Sequence, residues 1–123
     1  MSPHHHFINL TADNFQSAVI NSPIPVVVDC WANWCMPFYK DNPILTNLLQ
    51  QFAGRIKVCR LNVATVEEIA DCYSIRAVPT LLIFCDGKIV NRSIGSAQPD
   101  KIIDRLNILT KNAESNRRLI GCR

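Results

Sequence analysis

Residues 29–40 read "DCWANWCMPFYK" and hold the side chains best suited to chemistry. Cys35 follows the apolar run "VVVDCW" and precedes a stretch with helical spacing, so it opens a helix at the end of a strand. Free backbone N–H groups and the helix dipole favour an anion at such an end. The effect is worth roughly 0.3–1 kcal/mol, up to ~2 when partly buried, and it lowers the pKa of a thiol placed there. More thiolate at neutral pH makes a better attacking sulfur. Pro37 falls within the first turn, where its missing N–H costs little. The plain alternative is a structural cysteine at a strand–helix junction, but Trp31, Trp34 and Pro37 are not needed to bury a thiol. Asp29 lies inside the apolar run, and a buried carboxylate is costly unless it is paired or protonated.

The other reactive groups fit structural roles. Six cysteines stand at 30, 35, 59, 72, 85 and 122. Cys59 and Cys85 fall in strand-like runs and Cys30 neighbours Asp29 on a strand, so Cys30 points to the opposite face from the acid. Cys30 and Cys59 read as small buried hydrophobes in a chain whose thiols stay free. Cys72, at the end of a short helix, and Cys122, on the tail, are the cysteines expected outside the core. His4, His5 and His6 have no Cys or His at ligand spacing and read as a floppy terminus, so no metal and no cofactor are expected.

The elements that must position Cys35 are legible in order. A chain of 123 residues, 48% hydrophobic, suits one domain with a packed core. It is read as residues 1–123, with 1–5 a flexible start and about 112–123 a polar extension of the last helix. Residues 6–10 form a short strand, and Thr11 caps a helix carrying Phe15, Ala18 and Val19. "VVVDCW" is a strand buried on both faces. The next helix runs from about Cys35 with Ile44, Leu45, Leu48, Leu49 and Phe52 on one stripe, kinked at Pro43 and ended by Gly54. "IKVCRLNV" is a second central strand, after which Thr65 and Glu68 have capping-box spacing for a short helix. "TLLIFC" and "KIVNRSI" flank the hairpin turn Asp86-Gly87, and Pro99 opens a last helix that buries Ile102, Ile103, Leu106 and Leu109. The order β-α-β-α-β-α-β-β-α implies an α/β fold: a mixed five-stranded sheet with four helices on its two faces.

With "VVVDCWANWCMP", "VCRLNV", "YSIRAVPTLLIFCDGKIV" and the glycine of "RSIGS" in that order and spacing, the chain resembles the thioredoxin family over roughly residues 6–110. The family reads Trp-Cys-Gly-Pro-Cys where this chain reads Trp34-Cys35-Met36-Pro37-Phe38. The resemblance implies that Cys35 attacks a disulfide, that Asp29 matches a buried acid that helps proton transfer at the second thiol, and that Arg60 stands where a lysine usually pairs near that acid. It implies a cis peptide at Val78-Pro79 facing the nucleophile, with Ile94 and Gly95 as the third wall of a groove. Trp34 and Met36 would add apolar contacts. Phe38 cannot resolve a mixed disulfide, and it removes an S–H that would hydrogen-bond the thiolate, which raises the expected pKa of Cys35 relative to two-thiol relatives.

Three functions follow from that site. The first is thiol-disulfide exchange through Cys35 alone, released by an external thiol. The second is a redox-inactive module binding an extended peptide. The third is a sensor or trap held as a mixed disulfide on Cys35. The expected partners are disulfide-containing or thiol-bearing proteins, with glutathione or a thioredoxin reductase as electron donor; Cys72 and Cys122 are the alternative internal resolving thiols. Scattered basic residues and a formal charge of +3 give no support to nucleic-acid binding. No run is long enough to span a membrane and no signal peptide is visible, so a reducing cytoplasm is the expected compartment.

Overall fold

The computed structural model describes residues 7–32, 43–95 and 98–121, with the side chains of the last helix followed to Asn112. Five strands form one sheet: β1 (Ile8–Asn9), β2 (Val26–Trp31), β3 (Lys57–Asn62), β4 (Thr80–Cys85) and β5 (Lys88–Ile94). Three α-helices, α1 (Pro43–Gln51), α2 (Glu67–Cys72) and α3 (Pro99–Gly121), and a π-helical segment at Gln16–Ile20 complete the order expected from the sequence. The sheet runs β1-β3-β2-β4-β5. β1, β3 and β2 are parallel, whereas β4 pairs antiparallel with both β2 and β5.

The period-2 alternation of β2 divides the core between the two faces. Val26, Val28 and Cys30 pack with Phe15, Val19, Val66, Ile69 and Phe84 on the face carrying the π-helical segment and α2. Val27 packs with Leu45, Leu48, Phe52, Ile102 and Leu106 on the face carrying α1 and α3. Tyr73 closes the first core by stacking near Phe15 and Phe84, with ring centroids 5.6 and 5.4 Å away. Both faces of β2 are thereby covered, as its unbroken apolar run requires.

Local details differ from the sequence reading in three places. The first strand is only two residues long. Thr11 does cap the following turn: its hydroxyl accepts from the Asn14 amide, and Asn14 Oδ1 accepts from the Thr11 amide. The helix beyond it is of the wider π form, marked by the Asn21 amide donating to the Gln16 carbonyl five residues back. The Thr65–Glu68 capping box does not form. The Thr65 hydroxyl instead donates to the Asn62 carbonyl, and α2 begins without a side-chain cap. Asn62 Oδ1 takes the Ala64 amide, so the turn out of β3 is closed from the strand side. The described part of the second helix starts at Pro43, so its expected beginning at Cys35 and its kink lie outside the described residues.

The Asp86-Gly87 turn forms as its residue types require. Both residues have positive φ, 53° and 77°, the conformation of a two-residue hairpin turn that matches strand twist. Beyond it, Phe84 faces Ile89 but Ile83 faces Asn91, which leaves Val90 as the extra residue of a β-bulge.

Candidate functional site

The sheet register gathers the candidate residues at one end. Cys30 at the end of β2 lies opposite Thr80, the first residue of β4. Thr80 lies opposite Ile94, the last residue of β5. Trp31 lies beside Asn62, the last residue of β3, and the Val63 amide donates to the Trp31 carbonyl at 2.9 Å. The carboxyl ends of β2, β3 and β5 and the amino end of β4 therefore share one edge, the usual place for a site in a sheet with parallel strands.

Asp29 and Arg60 are register partners on β2 and β3. The Asp29 side chain is fully buried, and Arg60 Nε donates to Asp29 Oδ2 at 3.3 Å. The Arg60 guanidinium also lies 4.9 Å from the centroid of the Trp31 ring. One planar cation thus meets a buried carboxylate and an aromatic face together, which a lysine ammonium could not reproduce. Trp31 is half-buried, with one face of its ring against the guanidinium. Nothing local in the sequence pointed to this stacking, which follows from the pairing of β2 with β3.

The Val78-Pro79 peptide is cis. The Gly95 amide donates to the Pro79 carbonyl at 2.8 Å, and the Thr80 hydroxyl donates to the Ala77 carbonyl at 2.6 Å. Gly95 has φ +81°, so the residue that closes this bond needs the left-handed freedom of glycine. Ile94 beside it is 67% exposed, a large apolar side chain held out of the core at the rim. The N–H and C=O of Val78 make no hydrogen bond to any described residue.

Trp34, Cys35, Met36, Pro37 and Phe38 lie outside the described residues, as do His4, His5, His6 and Cys122. The other thiols divide as their sequence context predicts. Cys30 and Cys59 are fully buried, and burial pushes both thiols up to about 12; the Asp29 carboxylate adds to the effect at Cys30. Cys85, half-buried at the hairpin, is raised by burial and then by the Asp86 charge. Cys72 is exposed at the end of α2. Among the described residues no cluster of His, Cys, Asp and Glu suited to a metal occurs, and no helix is long and apolar enough to cross a membrane.

One feature escaped the sequence reading. A groove of about 480 Å³ runs between α2 and the loop leading to Pro79, lined by Val63, Ala70, Ile75, Ala77 and Val78 with Glu67, Asp71 and Arg76 at its borders. Its floor and its polar border come from segments that pack only in the folded chain. The one local signal was the four-residue spacing of Glu67 and Asp71, which sets two acids on one side of α2.

Residues 6–108 match the sequence model of the family described as Thioredoxin. The chain belongs to the thioredoxin family. It is 39% identical to Thioredoxin C-2 of Corynebacterium nephridii over 95 residues, which covers 77% of this chain and 88% of that protein. It is 32% identical to a thioredoxin of Pseudomonas aeruginosa over 97 residues, 79% of this chain and 90% of the relative. A third relative, Thioredoxin 1 of a Nostoc species, is 38% identical over 87 residues, 71% of this chain and 81% of the other. The thioredoxin match ends within α3, which continues to Gly121.

Proposed function

We propose that this thioredoxin-family protein, a single domain over residues 1–123, is a thiol-disulfide oxidoreductase that works through one cysteine. Cys35 is the nucleophile. Its thiolate attacks one sulfur of a substrate disulfide, the S–S bond breaks, and the departing sulfur leaves with the bonding electron pair and takes a proton from solvent. The mixed disulfide on Cys35 has no partner at position 38, where the chain has Phe38. An external thiol such as glutathione attacks the Cys35 sulfur and frees the reduced substrate thiol. A second external thiol then regenerates Cys35 and leaves as a disulfide. A thioredoxin reductase is the alternative electron donor, and a reducing cytoplasm is the compartment in which such a cycle runs.

The observation that carries the reading is the convergence of the described walls on the sheet end from which the Cys35 segment departs. Cys35 follows Trp31 by four residues. Trp31, the cis Val78-Pro79 loop and Gly95 all stand at that end. Val78 offers its backbone to an extended substrate strand. Ile94 supplies apolar contact at the rim, and Trp34, Met36 and Pro37 flank the thiol in the sequence. Asp29, paired with Arg60, supplies a compensated buried charge near the end of β2 in place of a role at a second thiol. The test is turnover of a disulfide substrate with glutathione as the sole reductant. Turnover that disappears in Cys35→Ser supports the cycle; equal rates in the two proteins would place peptide binding without chemistry ahead of it.

A further inference from the structure

We infer that the groove between α2 and the Pro79 loop selects substrate disulfides flanked by basic residues, with Glu67 and Asp71 as the residues that set the preference. The inference rests on the exchange reading above and adds the class of substrate to it. The groove reaches the cis-proline loop, since Val78 lines it and its peptide to Pro79 is the cis one. Its apolar floor of Val63, Ala70, Ile75 and Ala77 accepts side chains of an extended segment. Its α2 side carries acids alone: Glu67 and Asp71 are exposed, four residues apart, and α2 has no basic residue in its last turn. Arg76 stands on the loop side, and no salt bridge among the described residues joins it to either acid. The occupant is therefore a peptide segment with a Lys or Arg directed to α2 and an apolar residue on the floor.

The direction of this preference is diagnostic because it opposes the charge of the whole chain. With a formal charge of +3, long-range attraction favours acidic peptides. A preference for basic ones has to arise locally. Exposed pairs of this kind contribute modestly, so the expected selectivity is about three- to tenfold in rate and shrinks at high salt.

The probe is a pair of short peptides, one with lysines and one with glutamates flanking a cysteine, each disulfide-linked to 2-nitro-5-thiobenzoate. Cys35 attacks the peptide sulfur, a Cys35–peptide disulfide forms, and the coloured thiolate departs with the electron pair of the broken bond. Release is followed with the full chain, with Cys35→Ser, and with Glu67→Gln/Asp71→Asn. A faster Cys35-dependent rate with the lysine peptide, lost in the double variant and in high salt, supports the inference. Equal rates for the two peptides, or a preference unchanged in the double variant, overturn it while leaving exchange at Cys35 standing. Release that does not depend on Cys35 overturns the exchange reading and the selectivity with it.

Discussion

Arg60 Nε lies 3.3 Å from Asp29 Oδ2, and the same guanidinium lies 4.9 Å from the centroid of the Trp31 ring. The carboxylate is wholly buried and the Arg60 side chain is 14% exposed, so the pair sits at the margin of the core beside the sheet end that holds the site. Taking the cation away from a buried carboxylate removes its ion-pair partner on β3, and breaking a buried pair by removing one side is costly. Arg60→Met is expected to lower stability by about 2–4 kcal/mol in urea denaturation. In an Asp29→Asn background the same substitution should cost clearly less, because the charge that Arg60 pairs with is gone. Equal costs in the two backgrounds would show that Arg60 does not act through the Asp29 charge.

Gly95 joins the third wall to the cis-proline loop through the hydrogen bond that its amide N–H donates to the Pro79 carbonyl. A Cβ at this position meets no atom within 4 Å, so a substitution is opposed by backbone conformation and not by crowding. At φ +81° an L residue is strained by roughly 1–2 kcal/mol. Gly95→Ala should lower stability by about that amount in thermal denaturation, with disulfide exchange slowed as Ile94 and Pro79 shift. No loss of stability would mean that the loop relaxes freely and does not hold the groove.

The buried thiols give a pH prediction. Cys30 and Cys59 have folded values of about 12 against an ordinary value of 9.0. A raised folded value means that the fold keeps the protonated form while the unfolded chain ionises. The stability associated with these neutral thiols is complete below about pH 9 and is lost progressively as pH rises toward 12. Denaturation midpoints should therefore fall above pH 9. Native-state alkylation with mass analysis should modify the exposed Cys72 and spare Cys30 and Cys59 until denaturant is added.

Phe38→Cys should convert the one-thiol site into a two-thiol site. The oxidised variant is expected to show a mass lower by two hydrogens and to reduce disulfide substrates with dithiothreitol more rapidly than the parent. An intact fold with no gain would indicate that Met36 also departs from what dithiol chemistry needs.

The architecture was readable because its signals are local. The β-branched run of β2 has apolar surroundings on both faces, and Asp86-Gly87 supplies positive φ at both turn positions. Pro99 stands at the start of α3, where its missing N–H has no helical acceptor to lose. Capping details were less legible. Thr65 and Glu68 have the right spacing, yet the Thr65 hydroxyl donates to the Asn62 carbonyl and Val66 takes the N-cap position with no side-chain cap. The Asp29–Arg60 contact was expected from the resemblance, but the stacking on Trp31 depends on the register of β2 against β3 and left no local trace. The groove beside α2 was invisible for the same reason: Val63 and Val78 are distant in sequence and meet only when β3 and β4 flank β2.

The central claim is that Cys35 forms a mixed disulfide and has no thiol within the chain to finish the reaction. Incubation with a peptide disulfide, removal of excess reagent and intact-mass analysis with peptide mapping measure this directly. A peptide adduct on Cys35 that persists until glutathione is added is the predicted result. An unmodified Cys35, or an adduct that decays without added thiol into a disulfide between Cys35 and another cysteine of the chain, would contradict it.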